Sequence, residues 1–586
     1  VKLLLLAHAF NGLTQRLHCA LREAGHQVSV ELDISDAVTE EAVALADPDL
    51  VIAPFLKRRI PESVWSVRPC LVVHPGPPGD RGPAALDWAV LRGDAEGGVT
   101  VLQATGAFDA GPVWAWRTFA LRRDASKASL YRHEVTQAAV EAVLEAVDRH
   151  RPGAMTPSSP PSLPPPPAWG GGWQPPVPAA RRTIDWARDD TATVLRKIRS
   201  ADGHPGVTDA LFCRACRLHD AHEASIDSLQ RAPAGAPGTL VARRGPALLR
   251  RTVDGGVWIS HVRCEPPPGQ PALKLAATRA FAAESADLPE LAVPLQRDAA
   301  EWDELHYAET GELGQRVGWL SFDFHNGAMS TRQCERLRDA LRHARSRDTQ
   351  VLMLTGGEDF FSNGIHLHDI ESAAHDTGDS AADASWRNIN AIDDLVLELL
   401  DMTDRLTVAL MRGNAGAGGC WLGFAADRVW VHGGVVLNPH YKNMGNLYGS
   451  EYWTYTLPRR VGAARAAEVA QRVMQGRLPL SAAEAASLGL VDAVLTSCRD
   501  GLQQAAQAQA HTLASAHTHA QRIAAKQRAR ADDEARQPLA AYRDQELQQM
   551  HRNFYGFDPS YHVARHHFVT RKPHAWTPRH LATHRP

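Results

Sequence analysis

Short apolar runs of strand length occupy residues 3–7, 27–32, 50–53 and 70–73. Between them, residues 14–24 and 38–46 repeat apolar side chains at helical spacing, the first segment stopped by Gly25. Strands alternating with helices predict a doubly wound, parallel α/β sheet. Ligands of such sheets sit beyond the carboxyl ends of the strands. Residues 100–104 and 113–116 add two strands, joined through the turn Phe108-Asp109-Ala110-Gly111-Pro112. The pattern then stops: residues 151–178 are rich in Pro and Gly, which predicts a stiff connector. A helix over 192–198 and short strands to about residue 265 follow, and define a small β-rich unit.

Strand-like runs resume at 317–322, 350–354, 407–411 and 429–431, with a helix over 388–400. A small, acidic stretch at 372–386 reads as a surface excursion, and residues 505–530 read as one long helix. The tail carries His551, His562, His566 and His567, read as a solvated His-rich end. The pattern divides the chain into 1–150, a linker 151–178, a β-rich unit 179–275 and an α/β unit with C-terminal helices, 276–586.

Composition adds exclusions. The 586 residues are 44% hydrophobic with formal net charge −3, so there is core to bury and no basic footprint for nucleic acid. No apolar run approaches the ~20 residues of a membrane span, and the apolar start is too short for a signal peptide. Eight thinly spread cysteines suit a reducing cytoplasm. Cys213 and Cys216 form the one close pair, read as incidental thiols on a strand. No His, Cys or acidic set has a diagnostic ligand spacing, so no metal site is expected.

Two Gly-rich turns carry the candidate chemistry of the last unit. Gly413-Asn414-Ala415-Gly416-Ala417-Gly418-Gly419 follows one apolar run, and Phe361-Ser362-Asn363-Gly364-Ile365 follows another. Such turns expose backbone N–H groups that can hold a developing oxyanion. In the first unit, His74 ends a strand inside a Pro/Gly-shaped loop, and Asp109 lies in a second loop of the same sheet. A His and an Asp so placed can form an acid–base pair, although a lone His after a strand is more often a structural hydrogen-bonder.

These motifs resemble known families. Residues 317–495 resemble the crotonase (enoyl-CoA hydratase/isomerase) family in Asn326-Gly327-Ala328-Met329-Ser330, Ser362-Asn363-Gly364-Ile365 and Gly416-Ala417-Gly418-Gly419-Cys420. The resemblance implies an oxyanion hole from the amides of Ile365 and Gly418, holding a coenzyme A thioester carbonyl. The family's two hydratase glutamates fall at Trp421 and His440, so alkene hydration is not expected; Tyr441 and Glu451 are the polar candidates nearby.

Residues 1–150 resemble formyltransferases that use 10-formyltetrahydrofolate. His74 and Asp109 match that family's His and Asp, whereas Val72 stands where its Asn belongs. Residues 179–275 resemble the small C-terminal domain of the same enzymes.

Over essentially the whole chain the domain order, and stretches such as Gly445-Asn446-Leu447-Tyr448-Gly449-Ser450-Glu451, resemble the HypX/HoxX hydrogenase-maturation proteins. That resemblance implies a two-step path to the carbon monoxide ligand of [NiFe]-hydrogenase iron. The formyl group passes from 10-formyltetrahydrofolate to coenzyme A near His74 and Asp109. Formyl-CoA is then decarbonylated, with Glu451 as base and acid and Tyr441 hydrogen-bonding the carbonyl or the carboxylate. Gln15, Arg132 and Ser200 are expected coenzyme A or folate contacts, and hydrogenase iron-assembly proteins are expected partners. The alternatives are a formyl-CoA hydrolase using His440, an amine formyltransferase, and a non-catalytic one-carbon carrier.

Overall fold

The computed structural model describes all residues except 151–171, 299 and 497–498. The first domain is a six-stranded sheet. Lys2–Ala7, Gln27–Leu32, Leu50–Phe55 and Cys70–His74 run parallel, joined by helices Gly12–Glu23 and Asp36–Ala46. The remaining two strands correct the all-parallel expectation. Glu96–Gln103 runs antiparallel to Cys70–His74, and Val113–Ala120 antiparallel to it in turn, because the short turn between them leaves no room for a crossover helix. His74 ends the last parallel strand, and its side chain is buried.

Most of the predicted linker lies outside the described residues. Its described end is not a free spacer: Gly172–Trp173 pairs with Asp80–Arg81 in the His74 loop, and Val177 is buried. The second domain is a mainly antiparallel sheet of strands from Val207–Leu211 to Lys274–Ala276, packed on helix Thr191–Ala201. Cys213 sits exposed in the turn between the first two strands, off the face that buries Cys216.

The third domain has two sheets. The larger runs Leu305–Thr310, Val317–Phe322, Val351–Thr355, Leu406–Met411, Arg428–His432 and Ala493–Thr496. The smaller carries Phe360–Ser362, Asn414–Gly416, Val436–Asn438 and Leu480–Ser481. Both Gly-rich turns therefore feed adjacent parallel strands of the small sheet.

Three readings of this region are corrected. The stretch 372–386 is not a surface excursion throughout. Helix Ala381–Leu400 begins within it, and Ser385 is fully buried, 2.7 Å from the Tyr561 hydroxyl. The long helix is broken into Leu502–Ser515 and His519–Arg536. The tail is not a solvated end. His566 Nδ1 lies 2.8 Å from Glu371 Oε1, and Arg565 Nε donates to Oε2 of the same carboxylate at 2.8 Å. Further on the chain crosses back to the first domain. Leu581 joins that domain's core, and Leu581 O accepts from Val30 N. The buried carboxylate of Glu31 holds His584 and Arg585 at 3.0 and 2.8 Å. A buried carboxylate needs such partners, so the tail end is held by charge as well as by packing.

Candidate active sites

In the first domain His74 stands between two carboxylates. Nε2 lies 2.9 Å from Asp80 Oδ1, and Nδ1 lies 3.7 Å from Asp109 Oδ2. Asp109 also accepts the Gly82 amide at 3.0 Å, and Gln174 donates to the other oxygen of Asp80. The sequence reading named His74 and Asp109 but not Asp80, six residues after the His in the same loop. Gly76 makes this approach feasible: a Cβ there would sit 2.5 Å from His74 Nε2 and 2.8 Å from Asp80 Oδ1. Val72 is two residues upstream on the same strand. It therefore shares the face of His74 and presents methyl groups where an Asn would present an amide.

In the third domain the two Gly-rich turns converge. A Cβ on Gly364 would lie 3.3 Å from the Gly418 amide nitrogen. Asn363 ties its turn to the chain upstream, donating through Nδ2 to Asn326 O at 2.8 Å. Ala417, with φ 46°, turns the chain so that Gly418 opens the helix Gly418–Phe424.

Over Gly418 sits the carboxyl of Glu451. A Cβ at 418 would fall 2.2 Å from Glu451 Oε1. Glu451 is buried, and Tyr441 OH donates to its Oε2 at 2.5 Å. Burial, reinforced by the nearby Asp393 charge, pushes the Glu451 carboxyl well above the usual carboxylate range. The Tyr441 hydroxyl is raised too, first by burial and then by Glu451.

Glu451 and Tyr452 both hold left-handed backbone, at φ 62° and 57°. Such conformations are unfavourable for these residues and need outside support. Two buried acids supply it, and the sequence reading missed both. Asp393 accepts the Glu451 amide at 2.8 Å and the Ser450 hydroxyl at 2.6 Å. Glu546 accepts the amides of Tyr452 and Thr454 at 2.9 and 2.8 Å. Burial raises Asp393 to about 6 and Glu546 to about 8. One signal was available for Asp393: it sits in an apolar helical stripe with Ile389, Ile392 and Val396.

The other expected contacts divide. Gln15 Oε1 accepts from Asn438 Nδ2 at 2.9 Å, joining the start of the first domain's leading helix to the small sheet of the third. Arg132 pairs with Asp359 at 2.6 Å and donates to Asn326 Oδ1 at 3.1 Å, at the same junction. Ser200 is buried, donates to Lys197 O at 2.8 Å and accepts from Arg182 Nε at 3.2 Å.

Comparison with known proteins follows this division. Residues 12–147 match the formyl transferase family, and residues 322–579 match the enoyl-CoA hydratase/isomerase family. The chain is thus a formyltransferase domain and a crotonase-like domain in one polypeptide. A methionyl-tRNA formyltransferase of Pelobacter propionicus is 25% identical over 226 residues, 38% of this chain and 66% of that protein. Two other likenesses run the full length. The hydrogenase maturation factor HoxX of Bradyrhizobium diazoefficiens is 55% identical over 586 residues, covering 100% of this chain and 97% of that one. HypX of Aquifex aeolicus, solved in complex with tetrahydrofolic acid, superposes with a TM-score of 0.90 at 43% identity, covering 100% of this chain and 99% of that one. The chain belongs to this family of hydrogenase maturation factors.

Proposed function

We propose that the protein makes carbon monoxide in two steps, for the active-site iron of [NiFe]-hydrogenase. In the first, the formyl group of 10-formyltetrahydrofolate passes to the thiol of coenzyme A. His74 holds and polarises the formyl group, and Asp109 and Asp80 keep its ring oriented. The folate half of the reading is supported by the formyltransferase match and by the tetrahydrofolic acid complex of the Aquifex relative. Val72 in place of the usual Asn favours a thiol acceptor over the amine formyltransferase alternative.

In the second step formyl-CoA is cleaved to CO and coenzyme A. The amides of Ile365 and Gly418 receive the thioester oxygen. Glu451, as the carboxylate, takes the formyl proton. The C–H electron pair stays on carbon as the lone pair of CO, and the C–S bond breaks with its electrons going to sulfur. Protonated Glu451 then returns the proton to the thiolate. The observation that carries the reading is the Glu451 carboxyl, buried and seated directly over Gly418. A carboxyl with a raised pKa is a stronger base when ionised and holds its proton until the thiolate leaves.

The hydrolase alternative asks His440 to activate a water. Burial lowers that ring to about 4, and the charges that act on it are His580, Arg477 and Arg472, so it is a weak base. The test is product analysis of the purified full chain with 10-formyltetrahydrofolate, with and without coenzyme A. CO that requires coenzyme A supports the proposal, whereas formate without CO replaces it with the hydrolase. One product per chain and no turnover replaces it with the carrier.

A further inference from the structure

We infer that Cys216 and Cys264 form a thiol oxidation site, joined into a cross-strand disulfide by a small-molecule disulfide such as oxidised glutathione. Sequence spacing sets Cys216 beside Cys213, but the fold gives it another partner. Cys216 and Cys264 stand directly opposite each other on the antiparallel strands Arg214–Glu223 and Gly256–Cys264. Cys213 lies exposed in the turn before the first of these strands.

The hydrogen-bond phase of the ladder sets the geometry. The Glu265 amide donates to Ala215 O. The next pair inward, Cys216 with Cys264, is therefore a non-hydrogen-bonded pair, in which the Cα atoms stand about 4.5 Å apart and the side chains come closest. A disulfide needs Cα atoms roughly 4.4–6.8 Å apart. Opposite residues of a ladder share a face. Both cysteines accordingly pack on the core formed with Leu218, Val257 and Val262.

The two thiols differ in access, which orders the steps. Cys216 is 2% exposed, and burial pushes its thiol up to about 12. Cys264 is half-buried at the end of its strand, and the exposed residues 265–270 follow it. Burial raises its thiol as well; the Arg214 charge lowers it and Glu284 raises it. Cys264, as the thiolate, attacks one sulfur of the small disulfide. The S–S bond breaks, and the leaving thiolate takes up the proton that Cys264 gave up. Cys216 then attacks the Cys264 sulfur of the mixed disulfide, expels the second small thiolate and supplies its proton. The two protein thiols lose two electrons, and the small disulfide gains them and leaves as two thiols.

The bond braces the edge on which the third domain rests. His261, on the same strand as Cys264, stacks on His325 of the third domain with ring centroids 4.3 Å apart. The neighbouring strand Lys274–Ala276 reaches the third domain through the Lys274 amide, 3.3 Å from His368 Nδ1.

The experiment incubates the reduced full chain with oxidised glutathione, blocks the remaining thiols and maps the cysteines by peptide mass spectrometry. The expected product is a Cys216–Cys264 cross-link, lighter by two hydrogens and reversed by dithiothreitol. It should form about tenfold faster per pH unit near neutrality, where the thiolate fraction limits the rate. Cys216→Ser should leave glutathione held on Cys264, and Cys264→Ser should leave Cys216 a free thiol. The oxidised wild type should unfold at a higher temperature than the reduced; an unchanged temperature overturns the bracing of the junction. Glutathione on Cys213 alone, a cross-link from Cys216 to Cys213, or Cys216 and Cys264 both still reduced overturns the site.

Discussion

The two candidate centres are built in opposite ways. The His74 centre is local: the His, Asp80 and the stretch around Asp109 lie within 36 residues (from 74 to 109), and Gln174 closes it from the linker's end. The Glu451 centre is assembled from the Gly418 turn, the helix carrying Asp393, the loop carrying Tyr441 and Glu451, and the helix carrying Glu546. The first sets an imidazole between two carboxylates that hold its ring in place. The second buries a carboxyl among other carboxyls, which destabilises its charged form. A group that holds and orients a ligand suits the former, and a group that must take up and then return a proton suits the latter.

The sharpest way to separate the centres is to disable one and assay both steps. Glu451→Gln is isosteric and removes the proton acceptor. CO release should fall by about 10²–10⁴-fold, with formyl transfer to coenzyme A retained. Gly418→Ala should act on the same step by geometry. Its Cβ would fall 2.2 Å from Glu451 Oε1, and loss of position at an oxyanion site reduces rate by about 10²–10³-fold. His74→Gln should do the reverse, lowering coenzyme A formylation by at least about 10²-fold while CO release from supplied formyl-CoA persists.

A smaller effect tests the buried acids through stability. Glu546 is raised to about 8 in the folded chain, so the folded state holds its proton more tightly than the unfolded one. That stability is full below the ordinary carboxylate range and is lost as pH rises through about 8. Thermal unfolding of the third domain should therefore move down across that window, by roughly 2–4 °C per kcal/mol lost. Glu546→Gln should flatten the dependence; an unchanged slope would place the raised carboxyl elsewhere.

What the sequence made legible follows from the same contrast. The alternating apolar pattern located most strands and helices, and the Gly-rich turns pointed to the convergence of residues 364 and 418. The short turn at residues 108–112 already required Glu96–Gln103 and Val113–Ala120 to pair antiparallel, but the antiparallel pairing of Glu96–Gln103 with Cys70–His74 was not legible, because a single strand's pattern does not carry its direction. Glu546 escaped because acidic residues on helices usually face solvent and only the three-dimensional packing buries it, whereas the one sign of Asp393 was its place in an apolar helical stripe. The surroundings of Ser200 were not legible either: it lies on the buried face of an amphipathic helix, and its hydroxyl bonds within the fold.

The most direct measurement follows formyl-CoA itself by mass spectrometry, in wild type and Glu451→Gln given 10-formyltetrahydrofolate and coenzyme A. The account predicts that formyl-CoA accumulates in the variant without CO, while wild type turns it over to CO. CO formed at the wild-type rate by the variant, or no formyl-CoA in either protein, would contradict the account.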